Sequence, residues 1–370
     1  MPRQLGDILL TTPLARVLRQ NFPNCHISWC SHPMGKQILE GNSDLNEILY
    51  NPVQPRRPVR SEKNNFAAHI SFLWSCLCFI WAELKFVQIL RQRKFDTVID
   101  VMNNPHTAAY AFFTGAKTKI SFTTRWSRNW VFNFKIDRNL FANHYLAAGR
   151  LQLLKPLGID VSEALNAEWS ASNLPISHAD IMKINLWRSQ NNLVSDKYFL
   201  MSATHRRELR KWPVASYVEL ALKLIQERGF PVIWLWGPGE KEEIEKLHLG
   251  LQSLLQAENL PEDLSVMPPL FSLRETGALS TDCSLWIGNS NGLSHIAVAS
   301  GASTVQIHGP TRPADWTPIK LSQHRGVQRN EGCINCGKNK CSLPRRECLD
   351  DLSVSAVYEN INELLSIPSP

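Results

Sequence analysis

The first eighteen residues, MPRQLGDILLTTPLARVL, have neither an apolar h-region nor a small-residue cleavage site, so no export signal is expected. Also missing are the Gly-x-Gly-x-x-Gly fingerprint of dinucleotide-binding folds and a P-loop ending in Gly-Lys-Ser/Thr. Their absence removes the two commonest glycine-rich phosphate cradles. No recognisable reading motif accompanies the basic charge, which argues against a nucleic-acid partner. Charged residues are 20% and hydrophobic residues 44% of the 370, as in a globular chain that can bury real cores. That length suits two domains.

Nine cysteines are present. With no export signal expected, they fit reduced thiols or metal ligands in a cytoplasmic protein rather than a disulfide scaffold. The net charge of +7 is uneven: residues 1–165 carry 20 Lys and Arg against 11 Asp and Glu, and residues 166–370 carry 20 against 22. A basic first half fits either an anionic partner or a plain solvated surface.

Apolar runs alternate with amphipathic stretches, the pattern of an α/β chain with parallel strands. Strands are expected at 25–30, 95–102, 197–203, 231–237, 283–289 and 303–309. Helices are expected at 13–22, 105–115, about 142–157, 213–229, from about 239, and after Gly292. Residues 158–196 read as a linker followed by a helix. Two Rossmann-like halves result, 1–165 and 166–370, and open parallel sheets bind ligands at the carboxyl ends of their strands. The segment at 66–90 is unusually apolar. Its uncharged stretch, 66–82, is 17 residues long, which leaves open a buried helix, a membrane-surface helix or a spanning one. The basic, proline-broken QPRRPVRSEK precedes it.

Three stretches have the composition of a binding site. GNSNGLSHIAVASGASTVQIHGPT places a glycine-bounded turn before a helix, whose free amides and positive dipole end suit a phosphate. Asn289, Ser290, Asn291, Gly292, Leu293 and His295 belong to it, and Ser294 adds a hydroxyl. His295 is equally at home as a packing residue. SATHRRELRKWP offers Ser202, Thr204, Arg206, Arg207, Arg210 and Lys211 after a strand, a set that suits a diphosphate or simply a solvated loop. In LGDILLTTP, Asp7 at a helix start is a cap or a general base.

In this order the three stretches resemble glycosyltransferase family 9, the ADP-heptose:lipopolysaccharide heptosyltransferases. LGDILLTTP is similar to the family's opening Gly-Asp pattern and LRKWP to its mid-chain basic-Trp-Pro pattern. GNSNGLSHIAVA with HGPT is similar to its hallmark. The resemblance implies a GT-B architecture, with the acceptor on the 1–165 domain and the nucleotide-sugar mainly on the 166–370 domain. It implies an inverting displacement that needs no metal. Asp7 would be the base, and Thr204 with Arg210 or Lys211 would hold the diphosphate. Residues from Asn289 to His295, with Thr311 of HGPT, would bind the donor and stabilise the leaving group. The implied donor is ADP-heptose or a similar nucleotide-sugar. The implied acceptor is a phosphorylated, lipid-linked oligosaccharide at the inner-membrane surface, reached from the cytoplasm. Another donor, a protein acceptor or an inactive relative are the alternatives.

Three departures stand out. Ser290 stands where the family usually has Asp, and Asn291 where Ser is usual. The family's first strand, before the Gly-Asp loop, is missing here, and the region at 51–80 is longer than usual. Apart from these departures, and as in some family members, CINCGKNKCSLPRREC places Cys333, Cys336, Cys341 and Cys348 within sixteen residues, a set that suits a structural zinc or iron ion or simply reduced thiols.

Overall fold

The computed structural model describes residues 4–55, 66–123, 126–141, 144–166, 172 and 174–366. The chain divides into two compact units. The first comprises Met1–Ala142 with Arg150–Val161, and the second Asn143–Gly149 with Ser162–Pro370.

Unit 1 opens with helix α1 (Leu5–Leu9) and helix α2 (Pro13–Asn21), whose first residue is a proline, the position where its missing amide costs nothing. Strands β1 (Ser28–Ser31) and β2 (Glu47–Tyr50) pair in parallel. Helix α3 (Phe66–Gln92) follows, uninterrupted by glycine or proline. Strands β3 (Thr97–Asp100), β4 (Thr118–Phe122) and β5 (Phe134–Ile136) form a second parallel sheet, in that order. Between β3 and β4 runs helix α4 (Pro105–Phe113). An Asn104–Thr107 capping box starts it, and Gly115, at φ 72°, lies just beyond its end. Among the described residues no strand joins β1 to β3, so each keeps one unpaired edge and the unit has two short sheets instead of one. Phe86 and Leu90 of α3 pack with Tyr110 of α4 against Cys30, Leu49 and Phe95.

The helix expected at 142–157 is shorter. A turn of α-helix at Leu146–Arg150 gives way to a 3-10 segment, Leu151–Leu157. Pro156 lacks the amide that α-helical bonding needs, and Gly158 closes the segment at φ 79°. Farther on, the expected linker contains a short helix, Ser162–Asn166, and residues 167–171 and 173 lie outside the described set. The expected helix after it is α5 (His178–Gln190), capped by Ser177 and Asp180.

Unit 2 is built on a six-stranded, all-parallel sheet in the order β11-β10-β9-β6-β7-β8. Its strands are β6 (Phe199–Ser202), β7 (Val232–Trp234), β8 (Ser265–Val266), β9 (Leu285–Asn289), β10 (Thr304–Ile307) and β11 (His324–Val327). Side chains alternate across it. Phe199, Met201, Val232, Trp234, Leu285 and Ile287 pack beneath α6 (Val214–Arg228), α7 (Lys241–Ala257) and α10 (Val354–Leu365). Tyr198, Leu200, Ile233, Leu235 and Trp286 pack on the other side, against α5, α8 (Leu273–Thr281) and α9 (Gly292–Ala299). Both faces are covered, which is why these strands read as continuous apolar runs.

Candidate active site

In unit 1, Asp7 lies in the first turn of α1 but makes no capping bond there. Its carboxylate is held instead by Arg150, Nη2 to Oδ1 at 3.2 Å. The same guanidinium donates through Nη1 to the Asp7 carbonyl (2.7 Å) and the Thr11 hydroxyl (2.6 Å), and Thr11 donates to the Asp7 carbonyl (2.7 Å). Arg150 is buried, whereas the Asp7 side chain remains 26% exposed. A carboxylate fixed on one side and open on the other can accept a proton from a bound hydroxyl.

In unit 2, β6, β9 and β10 are neighbours, and their carboxyl ends bring three loops together. The contact between β6 and β9 is close: a Cβ on Gly288 would meet the Ser202 carbonyl oxygen at 2.4 Å, so only glycine fits. Asn289 is fully buried and latches the β6 loop at both ends. It donates from Nδ2 to the Ala203 carbonyl (2.6 Å) and accepts the Trp212 amide on Oδ1 (3.0 Å). Asn291 caps α9, its Oδ1 accepting from the Leu293 and Ser294 amides (2.9 and 3.1 Å). Its Nδ2 donates to the Ser202 hydroxyl (2.9 Å) and the Thr204 carbonyl (3.0 Å).

These bonds give the side chains singled out in the sequence partners within the fold. The side chains of Ser202, Asn289, Asn291 and Ser294 are occupied in shaping the loops, because buried polar groups find partners inside the fold. Thr204 is likewise engaged, donating to Glu240 Oε2 (2.7 Å), which also accepts the Gly237 amide (2.7 Å). Of the first-turn donors of α9, the Gly292 amide is the one left unconsumed among the described residues. Beside Gly292 there is open space: a Cβ there would meet nothing within 4 Å. Leu293 is half-buried against the core of that face, and Ser290 is half-buried with its amide on the Ile307 carbonyl (3.2 Å).

The two candidate cations separate. Lys211 is neutralised, with Nζ 2.7 Å from Glu208 and 2.8 Å from Glu243. Arg210 forms no ion pair among the described residues, and its buried Nε has no hydrogen-bond partner there. Burial and the nearby Arg207 both press its pKa down, the signature of a cation held without its counter-ion. Around it lie two neutral histidines. Burial, with His295 and Arg210 adding to it, pushes His308 down to about 3. Burial, with Arg210, Arg207 and Arg206, pushes His205 to about 4. His308 meets Thr317 at 2.8 Å and Thr311 at 3.4 Å. His295 is buried, its ring 6.0 Å from that of Trp316. Sequence reasoning missed Arg150, Glu240 and His308. Of these only His308 carried a signal, as the first residue of HGPT.

The four cysteines do not fit a metal. Among the described residues no group of three or more His, Cys, Asp or Glu side chains is disposed to hold one. Cys336 is exposed and the Cys341 thiol turns to the Arg345 carbonyl (3.6 Å). Cys348 is buried against Gly309. Burial, with the other three thiols adding to it, raises Cys348 to about 11. The expectation of a structural zinc or iron ion is therefore not supported. The surrounding segment serves the loops instead. Gln328 donates to the Gly309 and Thr311 carbonyls (2.6 and 3.2 Å), and the Gly337 amide to that of Pro310 (2.7 Å). Arg346 donates to the Glu208 and Lys211 carbonyls (2.6 and 2.9 Å), and Arg207 pairs with Asn339.

Set beside known proteins, residues 83–346 match the model of glycosyltransferase family 9 (heptosyltransferase). The chain belongs to that family. It is a glycosyltransferase of GT-B fold, with two Rossmann-like units. It is 28% identical to lipopolysaccharide heptosyltransferase 2 of Salmonella typhimurium over 99% of this chain and 97% of that protein. Lipopolysaccharide heptosyltransferase 3 of Escherichia coli is 23% identical over 85% of this chain and 83% of its own length. Among solved structures, the ADP-heptose lps heptosyltransferase II of E. coli superimposes with a TM-score of 0.67 at 18% identity, covering 98% of this chain and 96% of that one. The Gly-Asp stretch lies on unit 1 and the hallmark loop on unit 2.

Proposed function

We propose that this family 9 transferase moves a heptose from ADP-heptose to a lipopolysaccharide-core acceptor with inversion. Unit 1 takes the acceptor and unit 2 the nucleotide-sugar. The acceptor hydroxyl oxygen attacks the sugar's anomeric carbon and its proton passes to Asp7. The bond from that carbon to the diphosphate oxygen breaks, and ADP leaves with the electron pair. Negative charge grows on the diphosphate as the bond breaks, and fixed donors already in place favour that state. Arg210, the Gly292 amide and the positive end of α9 are those donors, with His295 and Thr311 beside them and Thr204 lining the loop. We place the acceptor's lipid at the inner face of the cytoplasmic membrane, and the basic excess in 1–165 suits its phosphates.

The observation that carries this reading is Arg210, a half-buried guanidinium with no carboxylate partner among the described residues, at the carboxyl ends of β6, β9 and β10. Calorimetry with ADP-heptose, ADP-glucose and ADP on the whole chain tests it. ADP-heptose should bind tightest, and Arg210→Ala should weaken all three by roughly 10- to 100-fold, the worth of a charge-assisted contact. Lys211→Ala should matter far less. Equal binding by wild type and Arg210→Ala sinks the assignment. Preference for another nucleotide-sugar keeps the site but changes the donor, a shift that Ser290 in place of the usual carboxylate would fit.

A further inference from the structure

Helix α3 has two unlike sides. Along the inner side of its C-terminal half, Phe86 and Leu90 are buried, the Phe86 ring 5.1 Å from that of Tyr110. Glu83 faces the same way. Its Oε2 accepts from the Tyr110 hydroxyl at 2.7 Å and meets His106 Nε2 at 3.1 Å. On the outer side Leu73, Trp74, Leu77, Ile80, Trp81 and Leu84 are each 54% to 68% exposed. At about 100° per residue these six fall in one stripe roughly 120° wide and about 17 Å long, opposite the buried side. Contiguous exposed apolar surface of this kind marks a contact site.

The charges say with what. From residue 71 to the end of the helix the one carboxylate is Glu83, and it is turned inward. The outward charges are cations: Lys85, whose Nζ lies 3.3 Å from the centre of the Trp81 ring, and Arg91, two turns on from Leu84 and in line with the stripe. A second copy of this chain would bring the same cations and no outward carboxylate to meet them. Anionic phosphates meet them directly, and tryptophan beside lysine is the pairing found at membrane–water boundaries. By length and composition the helix could cross a bilayer, but in its C-terminal half the inner side is packed on α4, so there lipid can reach only the outer side. The stripe also lies almost wholly before residue 83, where the match to the family begins.

We propose that the outer stripe of α3 docks this transferase on an anionic phospholipid bilayer. The helix lies in the headgroup boundary with Trp74 and Trp81 at the interface and Lys85 and Arg91 on lipid phosphates. The inference rests on the reading that the acceptor is lipid-linked, and it names the part of the molecule that reaches the surface.

Vesicle co-sedimentation of the full chain tests it, comparing phosphatidylglycerol/phosphatidylcholine vesicles with phosphatidylcholine alone. The wild type should bind the anionic vesicles and be weakened by about 0.5 M salt. Leu77→Glu with Trp81→Glu should lower partitioning by roughly tenfold or more, since binding scales with buried apolar area. Lys85→Gln with Arg91→Gln should keep weak binding but lose most of its salt dependence. ADP-heptose binding and transfer to a water-soluble, delipidated acceptor should be unchanged in both variants, which also reports that they are folded. Absence of wild-type binding to anionic vesicles, or undiminished binding by the Glu variant, overturns the proposal. So does a wild-type dimer that the Glu variant dissolves, which would assign the stripe to a second copy. Loss of donor binding in every form, with vesicle binding intact, would sink the transferase reading and leave the docking surface standing.

Discussion

Arg150 illustrates how much of a site depends on a residue behind the proposed base. It spans the Asp7 carboxylate, the Asp7 carbonyl and the Thr11 hydroxyl, fixing both the helix start and the direction of the proposed base. Arg150→Met should lower kcat for transfer by about tenfold or more, because a carboxylate freed to rotate is seldom in register with the attacking hydroxyl. ADP affinity, which the proposed function assigns to unit 2, should not change. A fall in ADP binding of the same size would point to general unfolding. Arg150→Lys should recover part of kcat, because a single ammonium can replace one of the three contacts. Nothing in the sequence marked this arginine, for it lies 143 residues from Asp7. The choice between Arg210 and Lys211 was hidden for the same reason. It turns on Glu243, 32 residues along the chain, which captures the lysine and leaves the arginine.

At the scale of elements, local chemistry was readable and distant partnership was not. The turn before α9 could be read from Gly288, Asn291 and Gly292 because cap and turn preferences act over three or four residues. The two glycines, alike in the sequence, do opposite things. Gly288→Ala drives a methyl into the Ser202 backbone on the neighbouring strand, which cannot yield as a side chain would. It should cost roughly 1–3 kcal/mol, read as a lowered unfolding midpoint. Gly292→Ala meets open space at the first position of a helix and should leave stability within about 0.5 kcal/mol. It should nonetheless weaken ADP binding, since the new methyl stands beside the proposed anion-binding amide. If both substitutions prove equally destabilising, the open side of α9 is not open. Elsewhere the alternation located six strands within two or three residues and missed β2, β4, β5, β8 and β11, while Pro156 turned an expected helix into a 3-10 segment. The cysteine spacing misled because it says nothing of burial: Cys348 was taken into the packing around Gly309 and Leu349.

For the molecule as a whole, the buried histidines make acid stability a property of unit 2. His308, His324 and His205 are held neutral, pushed by burial from 6.5 to about 3, about 4 and about 4. A histidine that protonates more readily unfolded than folded subtracts stability as the pH drops below its unfolded value, and the loss levels off near its folded value. Urea unfolding midpoints should therefore be flat above pH 6.5 and fall steadily from 6.5 towards 4. The upper part of that window lies above the range in which Glu275 and Glu47, both held below 4.5, begin to protonate. Burial opposes the shift of Glu275, and the hydrogen bond and charge of Lys183 together with the Ser272 bonds outweigh it; at Glu47 the Arg93 bond leads. Unchanged midpoints between pH 6.5 and 5 would contradict the buried-neutral assignment.

The division of the unit 1 strands into sets of two and three has a mechanical corollary. In unit 2 one hydrogen-bonded lattice runs without a break from β11 to β8, and strain at any strand is shared by five others. In unit 1 no backbone lattice crosses from β1 to β3 among the described residues, so side-chain packing and the helices hold the two pieces together. Packing yields more easily to sliding than a ladder does, because a ladder fixes register residue by residue. Unit 1, the half that carries Asp7, is thus expected to be the more compliant of the two.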